Sequence, residues 1–229
     1  MRTATLHTAH EEILIPVGKK VELAADVAIP AAAAGLVLFA HGSGSSRRSP
    51  RNRHVAEVLN AGAIATILTD LLTAEEEEID EYSAELRFDI GLLVRRLTAI
   101  TDWIETQAKL KPLSLGYFGA STGGAAALGA AANRPEIVQA VVSRGGRPDL
   151  AGAALGKVRT PCLFLVGGED SVVIGLNRDA MMELPPRTER RLEIIPGSTH
   201  LFEEPGTLDR VAELARNWFQ AHLRPMVRG

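Results

Sequence analysis

The chain has 229 residues, enough for one large domain or two small ones. Apolar residues make up 46% and charged residues 23%, ordinary for a globular chain, while aromatics are only 4%, so Leu, Val, Ile and Ala must supply the core. A formal net charge of -3 argues against a nucleic-acid partner, which needs a basic face, and the single cysteine, Cys162, excludes an intrachain disulfide and suits a reducing compartment.

The first residues, Met1 to His7, carry no continuous apolar leader. The longest bland run, residues 31–40, is about half a membrane span. The expectation is a cytoplasmic protein with no membrane partner.

In chain order, residues 12–17 and 21–29 read as two strands joined by Gly18-Lys19-Lys20, a hairpin. Residues 35–40 form a continuous apolar run ending in a Gly/Ser-rich loop, as a buried strand does. Ser49 and Pro50 predict an N-cap and a first helical position for a helix that runs to about Asn60 and closes at Gly62. Another buried strand is expected over 63–68. Thr73 with Glu76 forms a capping-box pattern opening an acidic segment. Ile90, Leu93, Leu97, Ile100 and Ile104 recur at helical spacing and predict a long amphipathic helix over 89–109. Strands are expected over 113–118, 137–143, 161–166 and 191–195. A small-residue helix over 121–133 is stopped by Pro135, and Leu208, Val211, Leu214, Ala215, Trp218 and Phe219 mark a last amphipathic helix.

A hairpin followed by strands and helices in alternation implies the α/β class, with a mostly parallel central sheet and helices on both faces. No second core is evident, so residues 1–229 read as one domain. Ligands of such sheets bind at the carboxyl ends of the strands, which is where chemistry should be sought.

The strongest local signal is Gly119-Ala120-Ser121-Thr122-Gly123, preceded by a strand and followed by a helix. This is G-x-S-x-G in its proper context: a tight, strained turn that presents Ser121 at the sheet edge. The following helix places its free N–H groups and positive dipole end beside the hydroxyl. A serine needs a base, and in this arrangement the acid and the histidine follow it in the chain. His200, in a loop after the last strand, is the candidate base. His222, near the end of the terminal helix, suits a dipole or solvated role. Asp170, after the strand over 161–166, is the candidate acid, with Glu169 as runner-up; an Asp here would equally serve as a turn or helix cap. The loop His41-Gly42-Ser43-Gly44 is expected to complete an oxyanion hole, with Ser43 N–H joining Thr122 N–H. His41 is expected to orient that loop.

Weaker signals surround these. Residues 73–89 lie where a small cap could cover the site, and Tyr82, Arg87 and Phe88 are candidate substrate-pocket residues. The run Glu75-Glu76-Glu77-Glu78 with Asp80 and Glu81 reads first as a solvated helix face and second as a lid edge that disfavours anionic substrates. Arg144 is a candidate clamp for a substrate carboxylate, or, more simply, one half of a structural salt bridge. Gly42-Ser43-Gly44 begins like a dinucleotide fingerprint but lacks its third glycine, and no phosphate-binding P-loop pattern occurs. His7, His10 and Glu11 match no zinc pattern. No metal or organic cofactor is expected.

With these pieces placed, the chain resembles an α/β-hydrolase of the dienelactone hydrolase-like family. The resemblance runs from Gly35 to the last helix, carried by His41-Gly42-Ser43-Gly44-Ser45-Ser46, Gly119-Ala120-Ser121-Thr122-Gly123-Gly124 and Pro196-Gly197-Ser198-Thr199-His200-Leu201-Phe202. It implies the fold, the triad and a small-molecule ester or lactone substrate, in a monomer or homodimer. Dienelactone hydrolases proper use a cysteine where Ser121 stands, and Cys162 lies in a strand as an inert core residue, so carboxylesterase is the expected activity. Lactone hydrolysis, acyl transfer, peptide hydrolysis and a non-catalytic binding role on the same scaffold are the alternatives. The chain is also similar to hydrolase domains that occur beside phosphoribosyltransferase domains, with no such second domain in this sequence.

Overall fold

The computed structural model describes residues 8–224. Eight strands form one sheet: β1 (Thr8–Pro16), β2 (Glu22–Pro30), β3 (Gly35–Ala40), β4 (Ile64–Thr69), β5 (Ser114–Ala120), β6 (Val138–Arg144), β7 (Cys162–Gly167) and β8 (Arg190–Ile195), in the order β1-β2-β4-β3-β5-β6-β7-β8. β1 pairs antiparallel with β2, and β2 antiparallel with β4; every later pairing is parallel. This is the mostly parallel sheet with an N-terminal hairpin that the alternation of elements implied.

β3, β4, β5 and β7 are buried along their whole length, which is why their sequences are unbroken apolar or small-residue runs rather than alternating ones. Helices cover both faces. One core packs Leu93, Leu97, Ile100 and Ile104 of α3 (Ile90–Ile104) and the alanines of α4 (Thr122–Asn133) against Leu36, Leu38, Tyr117 and Phe164. The other packs Val55 and Leu59 of α1 (Pro50–Ala61), and Val211, Ala215 and Phe219 of α6 (Thr207–His222), against Val37, Phe39, Phe118 and Leu163. Ser49 caps α1, its hydroxyl accepting from Asn52 N–H, with Pro50 inside the first turn as predicted.

The helical elements depart from the sequence reading in places. The amphipathic helix stops at Ile104 rather than 109, because 105–113 turns back into β5 through successive short-range backbone hydrogen bonds. A 3-10 segment, Pro148–Lys157, and a further helix, α5 (Ser171–Glu183), carry too little apolar periodicity to have been singled out. The acidic segment is a helix, α2 (Ala74–Ser83), with a complete capping box between Thr73 and Glu76.

Parallel register brings the carboxyl ends into line. Ala40 of β3 lies opposite Gly119 of β5, Ala120 opposite Arg144 of β6, and Arg144 opposite Leu165 of β7. The loops that leave these ends form one edge of the molecule.

Candidate active site

Ser121 stands between β5 and α4 with φ 51° and ψ -122°, a conformation that costs a non-glycine residue about 1–3 kcal/mol. Backbone bonds hold it there: Ser121 N–H donates to Arg144 O at 3.2 Å, and Ser121 O accepts from Gly124 N–H at 3.0 Å and Arg147 N–H at 3.1 Å. Gly123 makes the turn possible, because a Cβ there would overlap Ala40 O and stand 2.6 Å from His41 O. The start of α4 is thus pressed against the end of β3, and Ser121 is left half-buried at the edge.

His200 lies in the loop after β8, and its Nδ1 is 2.7 Å from Asp170 Oδ2. Asp170 does two jobs at once. Its other oxygen, Oδ1, accepts from Val173 N–H at 3.4 Å and caps α5. The helix cap and the imidazole contact thus coexist on one carboxylate. The carboxylate side chain is 15% exposed and the imidazole 39%, so the acid is sheltered while the ring opens to the site. The loop is drawn to β7 by Gly167, where a Cβ would stand 2.5 Å from Thr199 O, and by Glu169 N–H donating to Ser198 O at 2.9 Å. Glu169 itself is exposed, and among the described residues the carboxylate bonded to the His200 ring is that of Asp170.

His200 Cε1 is 3.5 Å from where a Cβ on Gly145 would stand, next to Arg144, whose carbonyl holds Ser121. Serine, imidazole and carboxylate therefore gather over the adjoining ends of β5, β6 and β7. Among the described residues no hydrogen bond joins Ser121 Oγ to His200, a contact that in hydrolytic sites commonly tightens only with substrate in place. His222 is occupied elsewhere: its Nδ1–H donates to Trp218 O at 2.8 Å and its Nε2 lies 3.3 Å from Glu189.

The loop after β3 is fixed from below. Buried His41 accepts from Leu71 N–H through Nε2 at 3.0 Å, so its proton sits on Nδ1 and is donated to Gly42 O at 2.9 Å. Burial pushes its pKa down, keeping the ring neutral and the tautomer single. Arg47, for which the sequence held no signal, ties the same loop to Asp70, just past β4, and to Asp26 and Glu12, paired with each other in the middle of β2 and β1. Ser43 N–H donates to Thr122 Oγ1 at 2.9 Å.

A cavity of about 370 Å³ opens beside this loop, lined among others by Gly42, Ser43, Gly44, Leu71, Leu93, Thr122, Glu77, Asp80 and Arg87. It adjoins the serine through Gly42, where a Cβ would stand 3.0 Å from Ser121 Cβ. Of the candidate pocket residues only Arg87 lines it. Tyr82 is 92% exposed and Phe88 54%, both turned to solvent, while Leu71, Leu72 and Leu93 supply the apolar wall of the cavity. The acidic run is not uniformly solvated. Asp80 is buried and accepts from Arg87 Nε and from the Leu86 and Arg87 N–H groups; burial raises its pKa, but these bonds outweigh it and hold the carboxyl below its usual range. Glu76 pairs with Arg96.

Arg144 is 7% exposed and does not reach the cavity. Among the described residues it has no salt-bridge partner either: Asn52 Oδ1 lies 3.5 Å away and the Phe202 ring centroid 5.7 Å away. The strand turns this side chain toward α1, the face opposite α4, because Ser143 takes the α4 side. Cys162 is buried at the far, amino end of β7, donating to Thr160 O, and burial pushes its thiol well up. It cannot act as a thiolate here. His10 is exposed, His7 lies outside the described residues, and no three His, Cys, Asp or Glu side chains among the described residues are grouped to hold a metal.

Sheet order, the strand-end serine turn and the Asp170–His200 pair downstream of it fit an α/β-hydrolase fold, and comparison with known proteins agrees. The model of the dienelactone hydrolase family matches residues 27–224, and the chain belongs to that family. A crystal structure of a dienelactone hydrolase from Anabaena variabilis is 58% identical, with a TM-score of 0.92, covering 95% of this chain and 99% of that one. The esterase Est1E from Butyrivibrio proteoclasticus shares the fold at 17% identity and a TM-score of 0.74, covering 92% of this chain and 98% of that one. Two Mycobacterium tuberculosis strains have proteins provisionally named phosphoribosyl transferases that are 53% identical over 213 residues, covering 93% of this chain. The chain spans about half the length (46%) of these curated relatives.

Proposed function

We propose that the protein is a serine hydrolase of small carboxylic esters that works through an acyl-enzyme. Ser121 Oγ attacks the ester carbonyl while His200 Nε2 takes its proton. Asp170 holds the imidazole by Nδ1 and stabilises the imidazolium. Thr122 N–H and the Ser43 loop face the oxyanion at the start of α4. His200 then protonates the leaving alcohol and activates a water that releases the acid. The observation that carries this reading is the 2.7 Å Asp170–His200 bond, set on the same strand-end edge as a serine held at positive φ.

The cavity beside the loop is modest in volume, which favours small substrates over long acyl chains. Residues 73–89 act as a small cap on it, with Arg87 as the pocket cation. Hydrolysis of a lactone is the second reading, supported by the name of the Anabaena variabilis relative. The transferase name of the curated relatives supports no reading for these residues, which match only part of those proteins.

The test is a panel of p-nitrophenyl esters of graded acyl length beside cyclic esters, run with the parent enzyme and Ser121→Ala. The expected result is turnover of short esters that falls by several orders of magnitude in the variant. Equal turnover by the variant would remove Ser121 from the chemistry; preference for the cyclic esters would favour the lactone reading.

A further inference from the structure

The backbone donor expected to complete the oxyanion hole is already engaged. Ser43 N–H donates to the Thr122 hydroxyl at 2.9 Å, across a separation of 79 residues in sequence. A hydroxyl has one proton to give and two lone pairs to accept with. Thr122 Oγ1 uses one lone pair on Ser43, and among the described residues neither its proton nor the Thr122 N–H is donated to any protein acceptor. The residue is 3% exposed, and the surface it keeps borders the cavity at the serine. Thr122 thus keeps two free donors, one main-chain and one side-chain, at the first position of α4 on the border of the cavity beside Ser121.

Resting on the acyl-transfer reading above, we propose that the Thr122 hydroxyl is a catalytic residue: it donates the second oxyanion hydrogen bond directly, and Ser43 N–H stands behind it. The order is Ser43 N–H to Thr122 Oγ1, and Thr122 Oγ1–H to the oxyanion. No proton changes owner; each bond polarises the next, an effect of about 10–30% per bond in a chain of this kind. The Arg47 and His41 contacts that fix the loop hold Ser43 in line with the hydroxyl. A β-branched side chain suits the role, since restricted χ1 freedom keeps the hydroxyl aimed.

The rival arrangement has Ser43 N–H as the direct donor, with the Thr122 hydroxyl only occupying it at rest. The two predict opposite signs for Thr122→Val, which keeps the volume and removes the hydroxyl. If the hydroxyl donates, kcat on a short p-nitrophenyl ester falls by about 10²–10³ while KM changes by less than about three-fold. Affinity for a trifluoromethyl ketone, whose adduct places an oxyanion in the hole, falls in parallel. Thr122→Ser restores most of both. If Ser43 N–H is the donor, Thr122→Val frees it, and kcat stays level or rises, which overturns the proposal. Thr122→Ala decides in the same way should the valine variant fail to fold. Ser121→Ala run alongside separates the two levels: an active Ser121→Ala sinks the acyl-transfer reading itself, whereas an inactive Ser121→Ala beside a fully active Thr122→Val sinks only the role of the hydroxyl.

Discussion

Arg144 is a buried cation with no carboxylate beside it among the described residues, and replacing it with methionine is expected to stabilise the fold. Burial, and then the charge of neighbouring Arg51, lower its pKa from 12.5 to about 10. At about 1.36 kcal/mol per pKa unit, keeping this guanidinium charged at pH 7 costs the folded state on the order of 3 kcal/mol. The offsets are small. The Phe202 ring returns about 0.5–2 kcal/mol, and the Asn52 contact, at 3.5 Å, is a weak hydrogen bond; Nε has no partner. Methionine of similar volume should therefore gain about 1–2 kcal/mol, or about 2–8 °C in Tm for a chain of this size. Urea unfolding at pH 7, followed by tryptophan fluorescence, measures it. The sign with pH is fixed as well: a cation whose folded pKa is lowered penalises the fold at neutral pH, and the penalty fades as pH rises through about 10. A methionine variant less stable than the parent by more than about 1 kcal/mol would refute this account and mean that Arg144 has a stronger partner than its neighbours supply.

Gly123→Ala sets a methyl against two main-chain carbonyls that cannot rotate away, so it should cost about 1–3 kcal/mol in urea unfolding and lower ester turnover with it. Asp170→Asn should leave stability within about 1 kcal/mol, because asparagine caps a helix as well as aspartate, yet cut kcat on the order of 10³–10⁴-fold by releasing the imidazole tautomer; equal losses in both would reduce Asp170 to a cap. Asp80 and Glu76 are held below their ordinary values of 3.8 and 4.5, with hydrogen bonds outweighing burial, so their contribution is complete above those values and lost as pH falls through the lower folded ones. Limited proteolysis within residues 73–89 should stay flat from about pH 5 to 8 and rise in more acid solution, with Asp80→Asn showing the increase already at pH 7.

Much of this was legible in the chain because burial on both faces writes itself as unbroken apolar runs. Residues 35–40 match β3 end for end, and the other parallel strands fall within a residue or two of their expected bounds. The serine turn and Asp170 each lie just past such a run, whereas His200 follows β8, a strand of mixed charge and burial, and was singled out by its place after the last strand. What was not legible depended on side-chain direction across the fold. The sequence marks Arg144 as a strand-end residue, but only the pleat decides that it faces α1 rather than the cavity. Tyr82 and Phe88 look like pocket residues, yet both face solvent and the apolar wall of the cavity is Leu71, Leu72 and Leu93. Asp80 looks solvated inside an acidic run, yet Arg87 and two N–H groups bury it. The contact between Ser43 and Thr122, 79 residues apart, leaves no trace in local pattern at all.

The most direct test of the account is intact-mass analysis after treatment with a fluorophosphonate, with the adduct mapped by peptide sequencing. One equivalent should attach to Ser121, with labelling abolished in Ser121→Ala and strongly slowed in His200→Ala. A parent enzyme that stays unmodified, or one labelled at another residue while Ser121 remains free, would contradict it.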